Sequence, residues 1–423
     1  MARVSIPFGE STLGFEIPDR NLLGVYSPRP VPPVADLDDA IRSAAAAPLG
    51  QPPLEQWIRP SDRVLILSDD NTRATPADRI VPVLLERLTA AGVPDERITC
   101  LLALGTHRYM TEREMRAKVG EGVCRRIRVL NHEWKDPGRL VHLGRSSRGT
   151  PVTVNRAAVE ADVVICLGSV VPHHIPGFSG SGKIVQPGIC GADTTAATHM
   201  LSCSGGGDSL LGLADNRVRA DLEEIADRVG LKAICNVVCD PQGQVAGVFF
   251  GSRAEAFPRA VELARCVYGF EYDAAPDVVV AGASPCEIDL WRSHKALYPA
   301  QRMVRPGGTI ILCTPAPEGV SPAHEGILEY AGWSSKRIRE AYGNGAIDDG
   351  VAAALAIAWA MVREKADVIT CSPGIPEEHK ARLGHTHAPG IEWALEEAFR
   401  RNGPDAHVAV LTHAPEMLPL GTP

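Results

Sequence analysis

The sequence predicts an α/β protein with two domains, each built on a mainly parallel sheet flanked by helices, and an active site in the interdomain cleft. Short apolar runs rich in β-branched residues, typical of buried parallel strands, alternate with helical stretches along the chain. A fresh series of this kind begins after residues 270–276, which places a domain boundary there. The length of 423 residues and the hydrophobic content of 45% suffice for two cores.

The N-terminal domain is expected to span residues 1–270. Residues 1–30 alternate apolar and polar side chains, which predicts a small β hairpin, and Asp36 is placed to cap a helix over residues 36–47. The glycine triplet at residues 205–207 is expected to interrupt the chain. Further strands are predicted at residues 63–68, 98–104, 126–130, 163–168 and 233–238, and further helices at residues 76–91, 111–118, 217–229 and 253–268.

The C-terminal domain is expected to span residues 271–423, where apolar strands again alternate with helical stretches. Its strands are predicted at residues 277–281, 309–313, 367–371 and 407–411.

Composition excludes several classes of partner. The net charge of −8 and the absence of a basic run argue against nucleic acid. The N-terminus has no basic region leading into an apolar segment, and the alanine-rich stretches are too short or too interrupted to cross a bilayer. The eleven cysteines are scattered without a C-x-x-C pair, as expected for buried core residues in a reducing compartment. The sequence therefore predicts a cytoplasmic protein without membrane contact.

Polar clusters follow two predicted strands at the positions where α/β proteins bind ligands. In the first cluster, Asp70 and Arg73 could form a local ion pair and helix cap. Alternatively, Arg73 offers a planar fork for a carboxylate or phosphate, and Asp70 could accept ribose hydroxyls or orient the arginine. In the second cluster His107 is placed to act as a general base.

The stretch over residues 171–200 concentrates the remaining chemistry. It contains His173, a glycine-serine loop at residues 177–182, Lys183 and His199. The loop fits the G-x4-G-K part of a nucleotide-binding motif, but Ile184 follows where that motif needs a magnesium-binding hydroxyl. Lys183 could pair with a phosphate or bond covalently through its amine, and His199 could hold a metal whose other ligands come from elsewhere.

The spacing of these residues resembles the nickel-pincer nucleotide-dependent lactate racemase (LarA) family. That family has a histidine, Gly-Phe-Ser-Gly four residues on, a lysine ten after the histidine and a second histidine sixteen further, which here are His173, residues 177–180, Lys183 and His199. The resemblance implies that Lys183 carries a pyridinium-3,5-bisthiocarboxylic acid mononucleotide and that His199 completes the ligands of its nickel. It also implies cofactor contacts from four further residues, Asp70, Arg73, Ser179 and Gly180.

A cluster in the second domain departs from the family pattern. Arg292 and Lys295 lie three apart on a predicted helix and could present two charges to an anion, or form an ordinary solvated face. In the family this lysine binds the substrate carboxylate together with an arginine, here Arg73, and the residue three before the lysine is often glutamine. Arg292 in that place puts lactate in doubt and favours a substrate with an additional acidic or hydroxyl group.

The resemblance implies a racemase or epimerase that inverts C2 of a small anionic 2-hydroxy acid. The reaction would proceed by reversible hydride transfer to the lysine-tethered nickel-pincer nucleotide, with His107 and His173 as general acid and base. Cofactor-synthesis enzymes are implied partners, and an oligomer is compatible with the sequence. Two alternatives stay open: a nucleotide-dependent enzyme using the glycine-rich loop, and a non-catalytic carboxylate-binding protein.

Overall fold

A computed structural model of the protein describes residues 1–204 and 209–421. The interruption predicted at the glycine triplet, residues 205–207, lies outside these ranges. The strands in chain order are β1 (Ala2–Phe8), β2 (Ser11–Ile17), β3 (Leu22–Tyr26), β4 (Val64–Asp69), β5 (Ile98–Ala103), β6 (Arg128–Asn131), β7 (Leu140–Arg145), β8 (Pro151–Asn155), β9 (Val163–Ser169), β10 (Pro172–His173), β11 (Gly177–Phe178), β12 (Leu231–Cys239), β13 (Val245–Gly251), β14 (Gly269–Phe270), β15 (Val278–Gly282), β16 (Thr309–Cys313), β17 (Asp367–Cys371), β18 (Thr386–Ala388), β19 (Val408–Leu411) and β20 (Leu418–Pro419).

The α-helices lie between these strands, and each of the five helices whose range was predicted is found close to that range. They are α1 (Leu37–Ala46), α2 (Ala77–Ala90), α3 (Glu112–Val119), α4 (Glu121–Arg126), α5 (Arg156–Glu160), α6 (Ala192–Ser202), α7 (Arg217–Val229), α8 (Arg253–Tyr268), α9 (Leu290–Ser293), α10 (Leu297–Met303), α11 (Ser335–Gly343), α12 (Gly350–Lys365), α13 (Glu377–Arg382) and α14 (Ile391–Asn402). The predicted cap of α1 is confirmed, because the Asp36 side chain accepts a hydrogen bond from the Asp39 backbone.

The first sheet has the strand order β13-β12-β9-β4-β5-β6. Its strands run parallel except β13, which forms an antiparallel hairpin with β12. Because β5 and β6 follow β4 on one side and β9 lies on the other, the winding reverses between β4 and β9. Such a reversal opens a crevice at the carboxyl ends of the strands, where α/β proteins bind ligands. The loops after β4 and β9 carry residues 70–73 and 171–183.

The second sheet has the order β18-β17-β16-β15-β19-β3, and its pairs are all parallel. Its winding reverses between β15 and β19. The loop after β15 leads to the short helix α9 and to Lys295. The predicted α/β class, with mainly parallel sheets flanked by helices, is confirmed.

The N-terminal segment joins the second sheet. Strand β3 pairs with β19, and apolar residues of the β1–β2 hairpin pack with α14 against the outer face of that sheet. The hairpin predicted in residues 1–30 is confirmed, but residues 1–26 fall outside the N-terminal unit to which the sequence assigned them. The physical reason is burial: Ile6 and Ile17 would be exposed without the second sheet beneath them. The boundary near residue 270 stays a prediction.

Apolar layers cover both faces of each sheet. In β4 alternate side chains enter opposite cores, with Ile66 packing toward α2 and Leu67 contributing to the core on the α7 and α8 side. The second sheet lies between a large core with α10 to α12 and the core with α14. All eleven cysteines are free thiols and nine are buried, as predicted. No helix within the described ranges is long and apolar enough to cross a bilayer.

Candidate active site

A cavity opens between the carboxyl ends of the two sheets. Its walls come from the loops after β4, β5 and β9, from α6, and from the loop after β15. Gly180 and Arg292 are predicted site residues that do not line it. The predicted residues that it brings together are Asp70, Arg73, His107, His173, Ser179, Lys183, His199 and Lys295.

Asp70 and His107 form a hydrogen-bonded pair at this edge of the first sheet. The Asp70 Oδ2 atom lies 2.7 Å from His107 Nδ1, and Asp70 Oδ1 accepts hydrogen bonds from the backbone and hydroxyl of Thr72. Burial favours the protonated acid, but His107 and Thr72 outweigh it and hold the pKa of Asp70 below its usual range. Burial lowers the pKa of His107 to about 4, against the opposing effect of Asp70. Asp70 therefore orients the histidine.

Asp69, which was not predicted as a site residue, supports the crevice through buried contacts. It pairs with Lys118 at 2.9 Å, with both side chains almost completely buried, and Oδ2 accepts hydrogen bonds from the Thr75 hydroxyl and the Ser169 backbone. The carboxylate thus links the loop after β4 to the end of β9. The signal available in the sequence was an aspartate directly after the predicted strand at residues 63–68.

Ser179 and Gly180 shape the glycine-rich loop. The Ser179 hydroxyl donates to the Ser169 carbonyl at 2.7 Å and accepts from the Val171 backbone at 2.9 Å, which closes the loop onto the end of β9. Gly180 has a φ of 79°, and a Cβ there would lie 2.6 Å from a methyl carbon of Val170. Both residues therefore have structural roles that account for their identity.

Arg219, on the buried face of α7, holds the other side of this loop. Its guanidinium donates to the carbonyls of Pro176, Phe178 and Gly180 and pairs with Glu223 at 3.1 Å. The sequence reasoning missed this residue. Its only signal is an arginine beside the apolar stripe of α7.

Three cations line the cavity without an anionic partner. Arg73, Lys183 and Lys295 form no side-chain hydrogen bond or ion pair with any residue in the described ranges. Burial lowers the pKa of Lys183 well below that of an ordinary lysine, and the positive charges of Arg73 and Lys295 lower it further. Burial also lowers the pKa of Lys295. This arrangement suits anionic ligands, and the lowered pKa of Lys183 favours its neutral, nucleophilic amine form.

His199 extends from α6 into the cavity wall that Lys183 shares. Its Nδ1 atom is buried and has no hydrogen-bond partner in the described structure, and burial lowers its pKa to about 3, with Lys183 contributing. A neutral imidazole with an unsatisfied nitrogen is a competent metal ligand. The described residues offer no group of three or more His, Cys, Asp or Glu side chains arranged to hold a metal, so a metal at His199 needs donors from a bound group.

A cluster of aromatic rings stands behind His173. His174 stacks on His173 with ring centres 4.7 Å apart and on Tyr298 at 3.8 Å, while His294 accepts or donates a 2.8 Å hydrogen bond with the Tyr298 hydroxyl. Burial lowers the pKa of both His174 and His294. The contribution of His294 and Tyr298 was not predicted. The cluster fixes the plane of the His173 ring.

Arg292 and Lys295 differ in their surroundings. Lys295 lines the cavity, whereas Arg292 is buried in an ion pair with Asp289, with Nη1 to Oδ2 at 3.0 Å. Its Nε atom is buried without a partner in the described structure. The solvated helix face that was the alternative is wrong for this cluster, because Arg292 is only 3% exposed.

Contacts across the cleft join the two halves near its mouth. Arg108 pairs with Glu114 of α3 at 2.8 Å and with Glu318 at 3.3 Å. The buried ring of His324, in the second half, stacks on Trp291 at 4.1 Å and on Trp134 of the first half at 5.8 Å between ring centres. The Trp134 indole N–H donates to the His107 carbonyl at 3.0 Å. These contacts connect the loop that carries His107 to the second sheet.

The chain resembles known proteins in sequence. Residues 8–208 match the family described as lactate racemase N-terminal domain. The chain is 26% identical over 323 residues to a lactate racemase of Thermoanaerobacterium thermosaccharolyticum and 29% identical over 328 residues to one of Lactiplantibacillus plantarum, in each case over 75% of this chain and 76% of the relative.

Two solved structures share the fold. The lactate racemase apoprotein of T. thermosaccharolyticum superposes with a TM-score of 0.88 at 23% identity, covering 99% of this chain and 100% of that one. A Thermotoga maritima protein gives 0.72 at 21% identity, covering 90% and 97%. Residues 8–208 of the chain therefore carry the lactate racemase N-terminal domain, and its curated relatives are racemases, which are isomerases.

Proposed function

We propose that the protein inverts the configuration at C2 of a 2-hydroxy acid. The observation that carries the proposal is the cavity in which His107 and His173 share one space with three cations that have no anionic partner among the described residues. A 2-hydroxy acid needs a cation for its carboxylate and bases for its hydroxyl proton. The curated relatives are lactate racemases, so the reaction type comes from them and the roles below from this chain.

The residues present fit a nickel-pincer nucleotide. Lys183 would supply the amine for its attachment. The His199 imidazole, whose Nδ1 has no hydrogen-bond partner in the described structure, would supply a nickel ligand beside the sulfur donors of the bound group. When bound, this cofactor would supply reversible acceptance of the C2 hydrogen as hydride. Asp70 is engaged with His107, which supports an orienting role for it beside the predicted cofactor contact. Ser179 and Gly180 would act by holding the loop that presents Lys183.

Arg73 and Lys295 would hold the substrate carboxylate, because both line the cavity without a carboxylate partner in the described structure. Arg73 offers a planar fork and Lys295 a compact charge. Arg292 lies outside the cavity lining, so it remains a proposed substrate contact only through the guanidinium nitrogens that Asp289 leaves free. A substrate with an additional oxygen-bearing group fits this arginine better than lactate.

His107 and His173 would exchange the hydroxyl proton. They stand on loops after different strands, β5 and β9, and both line the cavity. Removing the C2 hydrogen with its electron pair is feasible only while a base takes the hydroxyl proton. General acid-base catalysis of this kind contributes about 10²- to 10⁴-fold.

Further proposals follow from the same residues. Cofactor-synthesis enzymes would be partners, since attachment at Lys183 needs a supply of the nucleotide. The unpaired cysteines fit a reducing cytoplasm.

The test is a mass measurement on protein produced together with cofactor-synthesis enzymes. The proposal expects added mass on the peptide that contains Lys183, and nickel that the His199→Ala variant loses while keeping the added mass. The Lys183→Arg variant is the matched control and should carry neither. An unmodified Lys183 in protein that binds a free nucleotide would favour the nucleotide-dependent alternative instead.

A further inference from the structure

The hydrogen bonds around His173 fix which of its ring nitrogens carries the proton. The backbone N–H of Ile175 donates to His173 Nδ1 at 3.2 Å. A backbone amide only donates, so Nδ1 must present its lone pair. The neutral His173 ring therefore carries its proton on Nε2.

The opposite arrangement holds at His107. Its Nδ1 lies 2.7 Å from Asp70 Oδ2, and the other carboxylate oxygen already accepts two hydrogen bonds from Thr72. A carboxylate that accepts three hydrogen bonds is ionised and cannot donate, so Nδ1 of His107 carries the proton. Its Nε2 atom therefore presents the lone pair.

The surroundings reinforce this difference. A second proton on His107 would go to Nε2, and the Asp70 carboxylate at Nδ1 would stabilise the resulting imidazolium. A second proton on His173 would have to displace the Ile175 N–H from Nδ1. The charged groups nearest His173 are Lys183, Arg73 and Lys295, and its stacked neighbour His174 brings no negative charge.

We propose that the two histidines begin the reaction in different roles, with His107 accepting the hydroxyl proton and His173 donating a hydrogen bond through Nε2–H. The inference rests on the proposed function and assigns Asp70 and the Ile175 amide as the positioning groups. In the first step the substrate O–H bond breaks and an Nε2–H bond forms on His107, while the oxygen keeps its electron pair for the carbonyl. The C2 hydrogen leaves with its own electron pair as hydride, and the nickel-pincer nucleotide of the proposed function would supply its acceptance when bound.

The free enzyme is consequently prepared for only one of the two substrate configurations. The configuration whose hydroxyl faces His107 finds a lone pair at once. The other finds the Nε2–H of His173, and it can react only after that proton has moved to Nδ1 and the Ile175 hydrogen bond has broken. No net charge changes in this step. Because one hydrogen bond must first be broken, the first turnover of this second configuration should be about 5- to 10-fold slower than that of the other.

The direct test is ¹⁵N NMR of the histidine rings in protein without cofactor, labelled at histidine and assigned with His107→Gln and His173→Gln variants. The expected result is a protonated Nδ1 in His107 and a protonated Nε2 in His173. The same tautomer in both rings would overturn the proposal. The Ile175→Pro variant removes the donor, whereas Ile175→Ala keeps it, so only the proline variant should release the His173 tautomer.

A second measurement compares the first turnover of each pure configuration in cofactor-loaded enzyme. The proposal expects one configuration to react without delay and the other to lag, and equal rates would contradict it. Failure is separable from failure of the proposed function. If the enzyme inverts its substrate but both histidines have the same tautomer, the inference is wrong and the proposed function stands. If the tautomers are as expected but no substrate is inverted, the proposed function is wrong.

Discussion

The Asp70 carboxylate accepts a 2.7 Å hydrogen bond from the Nδ1 atom of His107, at the point where strands β4 and β5 end side by side. Replacing Asp70 by asparagine removes the charge that stabilises a protonated His107. We expect kcat to fall about 10- to 100-fold at unchanged cofactor content, part of the general-base contribution. The Thr72→Val variant, which removes one hydrogen bond to Asp70, is the control and should lose much less. A kcat within about twofold of wild type in Asp70→Asn would remove Asp70 from the mechanism.

Lys183 should react as a free amine at unusually low pH. Its lowered pKa means that the neutral form is reached at lower pH than for an ordinary lysine. Competitive acetylation of the cofactor-free protein, followed by peptide mass spectrometry at several pH values, reports each lysine separately. The control is Lys336, which is 86% exposed. Profiles that coincide after correction for accessibility would show that Lys183 is not activated.

Lys295 should determine substrate affinity more than turnover. Changing it to glutamine removes a charge-assisted hydrogen bond to the carboxylate, which is worth about 1.5–3 kcal/mol. We expect KM to rise about 10- to 100-fold, with a smaller change in kcat. Exposed Lys232 gives the matched control, Lys232→Gln, with no expected change. A wild-type KM in Lys295→Gln would place the carboxylate elsewhere.

Arg219 should be required for the loop that presents Lys183. The Arg219→Met variant leaves buried carbonyls of the loop without donors, and losing one partner of a buried pair costs about 3 kcal/mol or more. Denaturant unfolding measures this loss. Arg228→Met, on the same helix, removes a more exposed pair with Glu224 and should cost less than about 1 kcal/mol. An equal loss of unfolding free energy in the two variants would show that the loop does not depend on Arg219.

His132 should make stability depend on pH. It is fully buried, it bonds to Asn155 and the Cys190 carbonyl, and burial lowers its pKa from 6.5 to about 4. Below pH 6.5 His132 therefore binds a proton in the unfolded chain, whereas in the folded protein it stays neutral down to about pH 4. The free energy of unfolding consequently falls as the pH drops toward about 4. This residue alone should account for about 2 kcal/mol between about pH 7.5 and about pH 5.

The His132 prediction is measured as the difference in unfolding free energy between those two pH values. His132→Asn should be less stable overall, yet the difference should shrink by that amount. Other buried histidines contribute equally to both proteins and cancel in the comparison. An unchanged difference would mean that His132 is not the titrating group.

Much of the fold and the site follows from local sequence rules. Apolar β-branched runs located the strands, and the polar residues directly after them, Asp70 and His107, lie at the crevice where parallel sheets bind ligands. Lys183 and His199 were placed by motif spacing. They share one cavity because the loop after β9 folds back over the sheet end.

Other parts depended on contacts between residues far apart in the chain. Strand β3 was missed because its partner β19 lies nearly four hundred residues away, and no local pattern names that pairing. Three residues that support the site look, in the sequence, like ordinary charged or polar residues: Arg219, Asp69 and His324. Their contacts are visible only in the packed structure. Arg292 was expected to face a ligand, but it forms an ion pair with its neighbour Asp289.

The decisive measurement is chiral chromatography of reactions containing cofactor-loaded enzyme and single configurations of lactate, malate, longer aliphatic, aromatic and sugar-derived 2-hydroxy acids. We expect at least one of these acids to convert to its C2-inverted form and to reach the same mixture from either side. The Lys183→Arg variant should convert none. If the loaded protein, with the added mass verified on Lys183, inverts none of them, the assignment as a 2-hydroxy acid racemase or epimerase is wrong.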